Sequence, residues 1–126
     1  MQPVNLFDLA AQQARWLSVR QSAVAGNIAN ANTPGYLSLE VEPFQKVLDN
    51  SRVSMRATQS GHLASGATEA SIAVRPDADS VAVLPTGNSV ELENELMKSG
   101  EIRRSFELNT AIVKSFHRMM MMTTRA

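Results

Sequence analysis

Near the C-terminus, Leu92, Leu96, Ser99, Ile102, Phe106, Asn109, Val113, Phe116 and Met120 follow one another by steps of four and three residues without a slip. No other pattern in the chain limits its architecture as tightly. Side chains at that spacing fall along one line of an α-helix and cannot share one face of a strand. Sustained over about four heptads, the pattern predicts a helix with a coiled-coil-like seam. The helix is expected over residues 89–122, roughly 50 Å at 1.5 Å per residue. Gly87-Asn88-Ser89 supplies its turn and N-cap, and Glu91, Glu93 and Glu95 crowd the positive end of its dipole. Glu95 with Lys98, and Arg103 with Glu107, read as weak surface pairs. Leu108, Ile112 and Met119 widen the apolar face, so this helix needs more than one partner.

A shorter partner lies at the other end. Leu6, Leu9, Ala10, Gln13, Leu17, Val24 and Ile28 fall at helical spacings and predict a helix over residues 5–31, with Asn5 as N-cap and Asp8 in the first turn. Gly26 inside it is either a tolerated weak spot or a place where another helix comes close. The helix has a programmed stop. Pro34 pulls Thr33 out of the α region, and Pro34-Gly35 suits the two central positions of a type II turn. Asn30 and Asn32 can take a left-handed helix-end conformation or bond their own backbone.

Between the helices, residues 36–42 alternate like a strand, and Pro43 opens a brief helix with Phe44, Val47 and Leu48 on one face. Val53, Met55 and Ala57 alternate once, and Ile72-Ala73-Val74 and Val81-Ala82-Val83-Leu84 are short strand candidates. Ser, Thr, Gly and Ala dominate the rest, a poor recipe for a packed core. The predicted fold is mainly α: two long terminal helices in a coiled-coil-like hairpin, joined by a short strand and an irregular middle. Residues 1–35 and 86–126 would form a discontinuous helical core domain, and 36–85 a loosely structured β/loop insertion.

Composition narrows the function. The 126 residues balance 12 basic against 12 acidic side chains, which argues against a nucleic acid or an anionic membrane as main partner. There is no cysteine, hence no disulfide and no thiolate metal site. No basic segment followed by a long apolar run opens the chain, so neither a cleavable signal nor a membrane span is expected. With 44% hydrophobic but only 5% aromatic residues, the core must be built from Ala, Val, Leu and Met, which form no deep ligand pocket by themselves. His62 and His117 have no acidic or cysteine partner at catalytic or metal-ligand spacing and read as satisfied or solvated side chains. No Gly-x-Ser-x-Gly elbow or phosphate-cradling glycine loop occurs. Nothing points to an enzyme, a cofactor or a small-molecule substrate. Met119-Met120-Met121-Met122 faces all round a helix and reads either as tail packing or as an intersubunit plug; no basic cluster accompanies it as a membrane anchor would need.

Ile28-Ala29-Asn30-Ala31-Asn32-Thr33-Pro34-Gly35-Tyr36 resembles the N-terminal signature of the bacterial flagellar rod and hook proteins. Gly87-Asn88-Ser89-Val90-Glu91-Leu92-Glu93-Asn94-Glu95 resembles the start of the C-terminal helix in the proximal rod members of that family. The middle carries no such signature. The resemblance implies a structural subunit of the periplasmic proximal rod, carrying torque from the membrane ring to the distal rod and hook, exported by the flagellar type III apparatus with no signal removed. Its partners would be copies of itself, other proximal rod proteins, the membrane-ring protein and its adaptor, and the export gate. Subunit contacts are then assigned to Leu17, Val24, Asn27, Asn30, Asn32, Pro34, Gly35 and Tyr36, and to Leu92, Leu96, Ile102, Phe106, Asn109, Val113, Phe116 and Met120. The asparagines carry two readings: local helix stops, or amides that fix register against neighbouring subunits. The lone chain is expected to be largely disordered at both ends and to fold on assembly. The alternative is an unrelated helical adaptor or export-associated coiled coil, which would form a discrete oligomer.

Overall fold

Helix α1 spans Leu6–Ala29 in the computed structural model, which describes residues 5–51, 72–78 and 85–124. Asn5 caps it as expected: its backbone is extended and its side chain accepts from the Phe7 N–H at 3.1 Å. The stop works differently from the left-handed option. Among the described residues no non-glycine residue has positive φ, and Asn30 sits at φ −101° and ψ 13°. Its amide instead donates back to the Gly26 carbonyl at 2.8 Å, satisfying a helix-end acceptor from the side chain. The turn at Pro34-Gly35 forms, closed by Tyr36 N–H to Thr33 O at 3.3 Å, with Gly35 at φ +70°. At Gly26 the near neighbour is Tyr36 rather than another helix; a Cβ there would lie an ordinary 4.0 Å from the phenolic oxygen.

Strand β1, Leu39–Val41, pairs antiparallel with β2, Val74–Pro76, in the register Leu39↔Pro76, Glu40↔Arg75, Val41↔Val74. Both differ from expectation, β1 being shorter than 36–42 and β2 lying two residues beyond Ile72. Ahead of β1 the backbone bonds instead to the segment before the last helix, Gly35 N–H to Thr86 O at 2.9 Å and Ser89 N–H to Tyr36 O at 3.0 Å, and Ser38 O accepts from Asp77 N–H at 2.9 Å just beyond β2. Helix α2, Phe44–Ser51, follows Pro43, whose carbonyl accepts from Lys46 and Val47. Pro43 therefore caps this helix and is not part of its first turn. The Trp16 ring packs on Phe44 with centroids 5.7 Å apart, and the Trp16 indole N–H donates to Glu42 O at 2.7 Å. The expected features at Val53–Ala57, His62 and Val81–Leu84 lie outside the described residues.

Helix α3 spans Leu92–Thr124 and begins three residues later than the stripe suggested. Its cap is Glu91, whose carbonyl accepts from Glu95 N–H at 3.1 Å, because Asn88 and Ser89 are engaged elsewhere. It runs antiparallel to α1: Leu17 meets Ile102 in the core, Asn109 meets Ala10, and the Phe7 and Phe116 rings meet edge-on at 5.4 Å. Leu17, Val24 and Ile102 form the buried cluster, flanked by Trp16, Ile28 and Phe106. Burying a side chain of this size stabilises by about 1.5–3 kcal/mol, so three of them make a small core. The inward face holds from Ile102 to Phe116 but not above it. Leu92 and Leu96 turn away, Leu96 being 56% exposed, and Glu95 takes the inward position at 2% exposure. Beyond the Phe7–Phe116 contact, residues 117–124 carry α3 about 12 Å further.

Candidate assembly site: a polar clasp and an uncovered flank

The two segments that bear the family resemblance come together in space. Asn88 is fully buried, and its side-chain amide donates to three carbonyls where α1 ends: Asn30 at 2.8 Å, Ala31 at 3.0 Å and Thr33 at 2.8 Å. Its oxygen accepts from Val90 N–H at 2.7 Å. The last carbonyls of α1 are served locally by Asn30 and Ala31, while those of the turn that follows take donors from a residue 55 or more positions away in sequence. Ser89 adds a second tie, its hydroxyl accepting from Ser38 N–H at 2.8 Å.

Two glycines let the backbones meet. Gly87 lies at φ +80° and Gly35 at φ +70°, and a Cβ on Gly87 would sit 3.6 Å from Gly35 Cα. Positive φ rather than crowding makes glycine the suitable residue at both places.

Asn27, also fully buried, is the other half of the clasp. Its Oδ1 accepts from Leu39 N–H at 2.8 Å and its Nδ2 donates to Leu39 O at 2.9 Å, as an adjoining strand would. The same Nδ2 donates to Glu95 Oε2 at 3.0 Å, and the Tyr36 hydroxyl donates to Oδ1 at 3.4 Å. One side chain thus joins α1, β1 and α3.

Around Glu95 lies a charge network. Lys98 Nζ bonds Glu95 Oε1 at 3.1 Å and Glu40 Oε2 at 2.6 Å, and Arg20 approaches Glu40 at 3.9 Å and Glu101 at 3.8 Å. The pair Glu95–Lys98 is therefore no surface pair, and Glu95 does more than complement the dipole. Burial pushes the Lys98 ammonium down, but hydrogen bonds to Glu40 and Glu95, with their negative charge, outweigh it and hold its pKa above the ordinary 10.5. Among the described residues no buried side-chain nitrogen or oxygen lacks a partner.

The residues singled out from sequence divide by what they touch. Leu17, Val24 and Ile102 are core, and Phe106 packs against it; Asn27 and Asn30 hold the clasp. Asn109 is buried and donates to Ala10 O at 3.1 Å, so its amide is used within the chain. Val113, Phe116 and Tyr36 are half-buried. Asn32, Pro34, Gly35, Leu92, Leu96 and Met120 are exposed. With the last group belong Met97, Leu108, Ile112, Met119, Met121 and Met122, all exposed large apolar side chains on α3. Asn88, Ser89, Ser38 and the inward Glu95 were not anticipated as clasp members. A carboxylate in place of a leucine leaves no trace in an apolar periodicity, although Asn88 stood inside the second signature.

Among the described residues no set of three or more His, Cys, Asp or Glu is placed to hold a metal ion, and no helix is long and apolar enough to cross a membrane. What the arrangement does is fix shape: one face of α3 is committed to α1, and large apolar side chains on the rest of its surface are left exposed. A family model for flagella basal body rod proteins matches residues 9–36, the stretch from early α1 to Tyr36. The flagellar basal body rod protein FlgB of Agrobacterium fabrum (strain C58) is 48% identical over 129 aligned positions, covering 99% of this chain and 96% of that protein. With both signatures clasped together and nearly the whole length matched, the chain belongs to the flagellar basal body rod protein family and is a structural subunit of that rod.

Proposed function

We propose that this subunit builds the proximal, periplasmic part of the rod and passes torque from the membrane ring towards the distal rod and hook. The carrying observation is the apolar surface that α3 exposes on either side of its α1-facing stripe, with Leu92 and Leu96 on one side and Leu108, Ile112 and Met119 on the other. Exposed apolar surface of this extent on a helix marks partner sites. Copies and other proximal rod proteins cover it through heterologous contacts, which extend into a helical tube when the rotation does not close a ring. Torque then passes through close-packed side chains, which deform little under load.

The assigned contact set acts in two ways under this reading. Leu92, Leu96, Met120, Asn32, Pro34 and Gly35 meet neighbours directly, with Tyr36, Phe106, Val113 and Phe116 at their margins. Leu17, Val24, Asn27, Asn30, Ile102 and Asn109 set the shape that those contacts require. The division into a helical core of residues 1–35 and 86–126 and an insertion of 36–85 follows the same logic. The membrane-ring protein, its adaptor and the export gate complete the set of partners, and the chain reaches the periplasm without removal of a signal. Among the described residues the central cluster joining the two long helices holds three buried large side chains, which supports a lone chain that orders fully only on assembly.

The test is a pair of charge substitutions, Leu96→Glu and Ile112→Glu, in cells whose own copy is deleted. Both positions are exposed, so helix content with an osmolyte present stays near wild type while rods fail to extend and motility is lost. Normal basal bodies from the double variant would overturn the proposal. A discrete, closed oligomer of the purified chain would favour the helical adaptor instead.

A further inference from the structure

The end of α3 holds a donor set that shape maintenance does not use. His117, Met120 and Met121 stand at i, i+3 and i+4, which brings them to one helix face with Cβ atoms about 5–6 Å apart. All three are exposed and lie beyond the Phe7–Phe116 contact, where α3 has outrun α1. The His117 imidazole makes no hydrogen bond to a described residue. The helix persists through this turn, the Thr123 and Thr124 hydroxyls donating to the Met119 and Met121 carbonyls at 3.0 and 3.1 Å.

The chemistry of these donors is selective. Thioether sulfur is a soft ligand that prefers Cu(I), whereas carboxylate and carbonyl oxygen suit Mg and Ca. With no cysteine in the chain, methionine is its soft donor. The unbranched side chain has three rotatable bonds, enough for two sulfurs and an imidazole nitrogen to converge on one ion. Position favours a cation as well: α3 has no basic residue in its last turn, and its dipole is negative there. The nearby Lys114 and Arg118 are exposed, on stems long enough to carry their charge into water.

We propose that His117, Met120 and Met121 form a binding site for a soft monovalent cation of the Cu(I) class, with one nitrogen and two thioether sulfurs as ligands. All three ligands belong to α3, so the unassembled chain holds the complete set, and Met120 is shared with the neighbour contacts proposed above. Met119 and Met122 fall on the opposite side of the helix by phase and serve as the internal control.

Ag(I), which has the same preference and no redox step to manage, is the probe. The full chain, in an osmolyte that favours its folded state, is titrated while labelled methionine methyl groups are followed by NMR and stoichiometry by native mass spectrometry. One equivalent binds, the Met120 and Met121 methyl signals move first, and helix content does not fall. His117→Ala, or Met120→Leu with Met121→Leu, weakens binding at least about tenfold, the scale on which even outer partners of metal ligands act. Met119→Leu with Met122→Leu leaves affinity within about twofold, below that scale. Absence of a one-to-one complex, equal response of all the methyl groups, or unchanged affinity in His117→Ala would each overturn the site.

Discussion

Replacing Asn88 puts the clasp to its most direct test. The wild-type amide has two hydrogens for the three carbonyls of Asn30, Ala31 and Thr33, and its oxygen takes the Val90 N–H. That is about three hydrogen bonds' worth, each contributing about 1 kcal/mol net. Asn88→Ala should therefore lower stability by about 2–3 kcal/mol, the lower figure applying where water reaches the freed carbonyls. Asn88→Asp keeps the shape and the bond from Val90, but turns a donor into a carboxylate facing three carbonyl oxygens. A fully buried charge so placed is more costly than a missing group, so the isosteric variant should be at least as unstable as the alanine. Urea unfolding followed at the helical circular-dichroism band, with trimethylamine oxide to bring a small fold into range, reads both. With m near 1.5 kcal/mol/M, the alanine midpoint falls by roughly 1–2 M. An aspartate variant within about 0.5 kcal/mol of wild type, the spread of ordinary surface substitutions, would refute the reasoning.

Other perturbations separate core, charge and flank. Ile102→Ala removes a fully buried member of the central cluster and should cost about 2–5 kcal/mol in the same urea assay, against less than about 0.5 for Leu96→Ala. Lys98 has a folded pKa above its ordinary 10.5, so its contribution is complete below 10.5 and is lost as pH rises through the folded value. The stability gap between wild type and Lys98→Gln should thus be constant at neutral pH and shrink above 10.5, measured by urea unfolding across an alkaline series. Asn109→Leu removes one donor to Ala10 O and leaves no polar atom of its own behind, so the chain's stability should change by less than about 1 kcal/mol. Normal rods from that variant would rule Asn109 out as a register device.

The terminal helices and the Pro34-Gly35 turn were legible because each is written locally. Asn5 caps the helix that follows it, and Gly35 supplies the positive φ that its turn demands. The phase of α3 above Ile102 was not. The apolar stripe runs straight through Leu92 and Leu96, but Glu95 faces inward because Asn27 and Lys98 stand ready to bond it. Periodicity counts apolar residues, and a buried carboxylate that is fully partnered is invisible to that count. The start of α3 shifted for the same reason, since Asn88 and Ser89 serve a helix stop and a strand approach some 50 residues earlier.

Those misreadings point to what the two signatures do together. Each reads as a local device, one ending a helix and the other beginning one. Neither is complete alone: the turn that follows α1 is held by Asn88 through three of its carbonyls, and Glu95 is buried against Asn27. Breaking either half leaves buried polar groups unpaired in the other, which is costlier than losing a hydrogen bond in water. With so few large side chains in the core, the angle between the terminal helices is set by this polar junction as much as by apolar packing. An angular error in one subunit recurs at every step of a helical tube. Fixing that angle by directional hydrogen bonds leaves the exposed apolar side chains of α3 free of that task, so the shape of the subunit is specified by the junction between its own two ends.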